Sequence, residues 1–194
     1  AVGYQALFSN TAANNTAVGI QSMFSNTTGT SSVAVGGFTL DVNTTGHNHT
    51  AVGFEALSAN TTAHNNTALG RSALKANTTG ERNTAVGGAL QYNTTASDNT
   101  AVGYAAMDVN TTGHSNVAVG NYALDANTTG DNHTAVGRGA LTTNTTGIRC
   151  TAVGSNALNA NSTGSYNVGL GHSALGSNST GTQNTAVGTW ALTG

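Results

Sequence analysis

The chain has 194 residues, five basic and seven acidic side chains, a formal net charge of −2, one cysteine and no proline. So few charges leave no electrostatic footprint for nucleic acid or an anionic bilayer surface, and no apolar run reaches the length that spans a membrane. The lone Cys150 excludes a disulfide framework and a cysteine-rich zinc pattern, and is expected as a buried or half-buried thiol.

One phrase, Thr-Ala-Val-Gly-x-x-Ala-Leu-x-x-Asn-Thr-Thr-Gly-x-x-Asn, recurs about twelve times with a period of 17 residues. Copies marked by the Ala of Ala-Val-Gly begin at Ala1, Ala17, Ala34, Ala51, Ala68, Ala85, Ala101, Ala118, Ala135, Ala152, Gly169 and Ala186; the steps from Ala1 and from Ala85 are 16 residues instead. A repeat this short cannot bury a core alone, so each copy reads as one coil of a stack. Low charge and low complexity also suit a disordered chain, but disorder gives no reason to hold Val and Leu in fixed columns. The array is expected to be one continuous unit over 1–194 that begins and ends mid-repeat, as a segment of a longer fibrous protein.

The first predicted element of each copy is a short strand over Thr-Ala-Val, with β-branched residues on one face and Ala on the other. Its larger side chains, Val35, Val52, Val86, Val102, Val119, Val136 and Val153, are assigned to the core. A glycine follows in every copy, where a bend needs positive φ or no side chain fits. A second predicted strand carries Ala-Leu, again with small and large residues on opposite faces, and adds Leu57, Leu74, Leu124, Leu141 and Leu158 to the core. The copy closes on Asn-Thr-Thr-Gly. Its Asn26, Asn43, Asn60, Asn77, Asn93, Asn110, Asn127, Asn144, Asn161 and Asn178 recur at the strand spacing of about 4.8 Å, and are read as a ladder of amides bonded to the next copy and to the turn backbone. Charged and aromatic residues fall in the variable columns, which mark a solvent-facing rim.

Two large aliphatic side chains per coil bury too little apolar surface to offset the entropy of ordering the chain. A face lined with Ala would let another chain approach closely. The expectation is an all-β parallel β-solenoid of about twelve coils in a symmetric homo-oligomer, with the Ala face at the shared interface.

Ser32-Val33-Ala34-Val35-Gly36, Asn116-Val117-Ala118-Val119-Gly120 and Asn167-Val168-Gly169-Leu170-Gly171 resemble the Ser-Val-Ala-Ile-Gly signature of the head repeats of trimeric autotransporter adhesins. The longer phrase from Asn99 to Gly113 is similar to repeats of phage tail fibres and related bacterial surface proteins. The resemblance runs through the whole chain. It implies a homotrimer of left-handed parallel β-rolls packed side by side along a fibre axis. The 17-residue period is longer than the usual adhesin head repeat, and the extra length lies in Asn-Thr-Thr-Gly.

No catalytic constellation, cofactor motif or metal-ligand pattern stands out, and the segment is not expected to be an enzyme. His47 and His64 share a column with His49 nearby, and they read as exposed imidazoles and not as a metal site. The leading expectation is a structural or adhesive segment of an extracellular, cell-surface or virion fibre. Its partners would be copies of itself and a host-surface glycan or receptor, with no nucleic acid and no membrane insertion. Tyr104, Tyr122 and Trp190 are the candidate carbohydrate contacts, since exposed aromatic rings stack on sugars. One alternative is an ice-binding solenoid with a ladder of Thr27, Thr44, Thr61, Thr78, Thr94, Thr111, Thr128 and Thr145. Another is a self-assembling extracellular filament glycosylated at its Asn-x-Thr sequences, those at Asn48 and Asn132 included.

Overall fold

The computed structural model describes residues 1–193. Eleven strands of three residues, from β1 (Thr16–Val18) to β11 (Thr185–Val187), stack in chain order into one parallel sheet. The register is that of the repeat: Thr16 pairs with Val33, Ala17 with Ala34 and Val18 with Val35. Ahead of β1, a single bridge joins Val2 to Val18. The chain therefore climbs one coil per repeat, as an all-β parallel solenoid. β5 (Thr84–Val86) and β6 (Thr100–Val102) keep the same register, Thr84 with Thr100, although the step between them is one residue short. The deletion is absorbed wholly in the turns.

Each coil contains one strand, not two. The predicted Ala-Leu strand is a run of turns in which alternate residues take the left-handed conformation, as Glu55 (φ 56°) and Leu57 (φ 52°) do on either side of Ala56. In a strand, Ala56 and Leu57 would point to opposite faces. Here the positive φ at Leu57 swings its side chain inward, and both residues are fully buried. A left-handed L-residue costs on the order of 1 kcal/mol, so such residues persist only where the surroundings fix them. The fixing comes from neighbouring coils: the Glu55 N–H donates to Gly37 O in the coil before at 3.0 Å, and the Leu57 N–H donates to Ala73 O in the coil after at 3.0 Å.

The coil interior is narrow. Its widest occupants form a single row, Met23, Leu40, Leu57, Leu74, Leu90, Met107, Leu124, Leu141 and Leu158, none of it exposed. The strand alanines, from Ala17 to Ala152, face this row from the sheet and are equally inaccessible. At Gly169, which stands in an Ala position, an added Cβ would lie 3.0 Å from Ala174 O and 3.2 Å from Leu158 Cγ, so the interior is tight even for a methyl group. This geometry reverses the expected sides of the strand. Val52, Val119 and Val153 are 36–40% exposed, and Val35, Val86, Val102 and Val136 are half-buried. None belongs to the core, because Ala takes the inward position and alternation sends its neighbours outward. The Ala columns correspondingly line the inside of the coil and are unavailable as a surface for another chain.

Candidate interaction face and side-chain ladders

The outward side of the sheet carries two parallel columns. One runs Thr16, Val33, Thr50, Thr67, Thr84, Thr100, Val117, Thr134, Thr151, Val168 and Thr185; the other runs from Val18 to Val187, with Leu69 and Leu170 in place of Val. Neighbours along a column are about 4.8 Å apart and the two columns about 7 Å apart, over a length of roughly 50 Å. No charged residue lies in any strand. Among the described residues, none of the strand threonine hydroxyls has a hydrogen-bond partner within the chain. A continuous uncharged face of this length is the most conspicuous surface of the molecule.

The turn asparagines form the ladder expected of them. Asn43 Nδ2 donates to Asn26 Oδ1 at 2.8 Å, Asn60 to Asn43 at 2.9 Å, Asn77 to Asn60 at 3.1 Å, Asn93 to Asn77 at 2.9 Å, Asn110 to Asn93 at 3.0 Å and Asn127 to Asn110 at 2.8 Å. Each also donates to a backbone oxygen three residues on, as Asn77 does to Gly80 O at 2.9 Å. The ladder is interrupted at Asn144, whose buried Nδ2 and Oδ1 lack partners, and resumes with Asn178 donating to Asn161 at 2.9 Å. Turning the Asn144 amide over would bring its nitrogen towards Asn127 and restore the run. Because these amides are buried and doubly engaged, a glycan on the turn asparagines would break the ladder. Asn48 and Asn132, by contrast, are exposed.

The first threonine of Asn-Thr-Thr-Gly is also structural. Thr27 Oγ1 donates to Thr44 O at 3.0 Å, Thr44 to Thr61 O at 3.1 Å, and the pattern continues through Thr128 donating to Thr145 O at 3.1 Å. Each of these hydroxyls gives its one donor to a backbone carbonyl and keeps only acceptor lone pairs for external water.

A second inward polar column went unrecognised in the sequence. It occupies the position before each strand: Ser32, His49, Asn66, Asn83, Asn99, Asn116, His133, Cys150 and Asn167, all buried. In its usual form the Asn amide donates to a turn carbonyl and its Oδ1 accepts a backbone N–H of the next coil, as Asn66 does with Gly80 O at 2.8 Å and Asn83 N at 2.8 Å. Histidine reproduces both bonds. His49 Nε2 reaches Ala63 O at 2.8 Å while Nδ1 accepts the Asn66 N–H at 3.3 Å; His133 Nε2 reaches Gly147 O at 2.6 Å while Nδ1 accepts the Cys150 N–H at 3.1 Å. One ring nitrogen donates and the other accepts, so both imidazoles are neutral. Burial lowers the His49 pKa to about 4 and lowers that of His133 as well. At Cys150 the thiol points at Gly164 O at 3.3 Å, and burial raises its pKa. The signal for this column was the substitution of Asn by residues that each carry a short polar group.

His47 and His64 stack with ring centroids 3.8 Å apart, and His64 Nδ1 accepts the His47 backbone N–H at 3.2 Å. Among the described residues, no group of three His, Cys, Asp or Glu side chains converges as a metal site. Of the candidate sugar contacts, Tyr104 and Tyr122 meet edge to face at 5.6 Å between centroids, whereas Trp190 stands apart against His172 at 5.1 Å. The sequence-distant ends of the solenoid thus separate Trp190 from the tyrosine pair. No helix is long and apolar enough to cross a membrane. Comparison of the chain with protein-family models, with curated proteins and with solved structures returns no match.

Proposed function

We propose that the chain is a non-enzymatic structural and adhesive segment of an extracellular, cell-surface or virion fibre, in which copies associate through the outward Thr/Val face of the sheet. The observation that carries this reading is the pair of uncharged columns running along all eleven strands. Hydrophobic surface in one continuous strip favours burial against a complementary strip, and the complement available on every molecule is the same face of another copy. The strip is about 50 Å long and roughly 12 Å wide, on the order of 600 Å² per copy, which approaches the ~800 Å² per partner of a standard interface. Three copies around an axis parallel to the stack, as left-handed rolls of about twelve coils counting the one that carries Val2, is the arrangement the adhesin-like repeats suggest. The rigidity needed of a shaft is already present in the ladders of each chain.

Small-angle scattering tests the reading. The wild-type chain should have the cross-section of a bundle of rods, and the triple variant V86K/V102K/V119K that of a single rod with unchanged circular dichroism. A wild type already thin enough to be one rod at all concentrations would contradict it.

A second reading keeps the same face but gives it water as its partner. The strand threonine hydroxyls are free of protein partners and regularly spaced, which suits an ice-binding plane. A monomeric chain that inhibits ice recrystallisation, and loses that activity in T84K/T134K, would favour this alternative over the fibre.

A further inference from the structure

The column that follows the corner glycine runs Phe54, Arg71, Gly88, Tyr104 and Asn121 from coil to coil. Gly88 lies in a coil with a one-residue deletion, and because β5 and β6 keep their register, the missing residue leaves its space in the turns. A notch of about 540 Å³ opens there. A Cβ added at Gly88 would meet nothing nearer than Arg71 O and Tyr104 Cδ2, each at 3.9 Å. Gly37 stands in the same column of a full-length coil and shows the contrast. There, Ile20 Cγ2 lies 3.1 Å and Phe54 Cδ2 3.5 Å from the equivalent point, so the flanking side chains close over the glycine.

Arg71 and Tyr104 belong to the coils on either side of the gap. Their backbones are two coil spacings apart, about 9.6 Å. A saturated six-membered ring in van der Waals contact with both walls, at about 4 Å from each, fits within that separation. The Tyr104 ring is braced from behind by Tyr122 and is 62% exposed. Around the gap lie Gln91, Asp108 and the ion pair of Lys75 with Glu55, whose Nζ and Oε2 are 2.7 Å apart. The two cations and two carboxylates of the lining cancel, so the notch has no net charge to select an ion. What remains is one aromatic face beside interleaved donors and acceptors. Apolar C–H groups on a ring face, with hydroxyls around its edge, are the complement of such a lining.

We infer that this notch binds a neutral hexopyranose unit, stacked against Tyr104 over Gly88 with its hydroxyls bonded by Gln91, Asp108 and Arg71. The inference stands independently of the fibre reading, because every wall of the notch lies in turns and none in the strand columns. It narrows the aromatic rim to one place, and leaves Trp190 outside it.

The test is a titration of the isotopically labelled full chain, followed by amide resonances, with methyl β-D-galactopyranoside, methyl β-D-glucopyranoside and methyl α-D-mannopyranoside, and with glucuronate as the charged control. At least one neutral glycoside should shift Gly87, Gly88, Gln91 and Ala105 saturably in the millimolar range. Gly88→Leu fills the gap without needing left-handed backbone, and Tyr104→Ala removes the stacking face; each should weaken binding about tenfold or more while the melting temperature stays near wild type. Absence of saturation with all three neutral glycosides up to roughly 100 mM would overturn the inference, since that corresponds to negligible affinity. Saturation by glucuronate alone, or undiminished binding in either variant, would overturn it equally.

Discussion

His49 Nδ1 accepts the backbone N–H of Asn66 at 3.3 Å, and Asn66 Oδ1 accepts the backbone N–H of Asn83 at 2.8 Å. An imidazole and an amide thus make the same bond in successive coils. The equivalence holds only while the imidazole is neutral, because a protonated Nδ1 has no lone pair for the Asn66 N–H.

That condition sets a pH dependence. Burial first, against the raising effect of its backbone bonds, lowers the His49 pKa from 6.5 to about 4. Below pH 6.5 the unfolded chain takes up a proton that the folded chain refuses, so stability falls as pH drops and levels off below about pH 4. At ~1.4 kcal/mol per unit, the His49 contribution is about 3 kcal/mol, and His133 acts in the same direction. The half-buried Asp41, Asp108 and Asp125, whose pKa values burial raises, act oppositely and are common to any His variant. Melting temperatures of H49N/H133N and wild type between pH 7 and 4.5 should diverge as pH falls, the variant losing less. Parallel curves would show that the two histidines are not held neutral.

Asn77 makes three side-chain bonds: to Asn60 Oδ1 at 3.1 Å, to Gly80 O at 2.9 Å, and from Asn93 Nδ2 at 2.9 Å. Asn77→Ala strips buried partners on both neighbouring coils and should cost roughly 2–4 kcal/mol, whereas Thr79→Ala on the exposed corner should cost less than about 0.5 kcal/mol. Chemical denaturation of the two variants distinguishes a ladder from a solvated turn.

Ala101 is fully buried and its neighbour Val102 is turned outward. Ala101→Val forces two extra methyl groups against the Leu/Met row and should destabilise the chain by about 1–3 kcal/mol. Val102→Asp should leave the fold of a coil intact and act on association between copies. Circular dichroism melts of the separated chain, at low concentration, should therefore rank Ala101→Val as the more damaging change.

Gly103 has φ 134°, and a Cβ there would stand 2.8 Å from both C and O of Gly120 in the next coil. Backbone atoms of a neighbouring coil cannot move aside without breaking its own ladder. Gly103→Ala should cost roughly 2–4 kcal/mol, while Gly88→Ala, whose Cβ would meet neighbours no nearer than 3.9 Å, should be silent in the same thermal melts.

Several of these positions were legible in the sequence and others were not, for a common reason. Strict recurrence of Asn at Asn26, Asn43 and their successors is a direct image of a ladder in which each side chain touches its own copy. The strand over Thr-Ala-Val was equally plain. Which side of that strand faces in depends on the width of the coil, and width is set by the Ala56-Leu57 segment. Left-handed residues there put both side chains inside, filling the space that Val would need. Leu carries no sequence mark for positive φ as Gly does, so the turns at Leu57 and Leu74 look like a strand in the sequence. The His49 column was hidden by its variety, since Ser, His, Cys and Asn share a hydrogen-bonding pattern and not a residue type.

The most direct test of the proposed association is sedimentation equilibrium of the chain across a wide concentration range, run beside V86K/V102K/V119K. A mass of three chains for the wild type, reduced to one chain in the variant with its fold retained, is the predicted result. A wild type that remains one chain throughout, with the outward Thr/Val columns left in water, would contradict it.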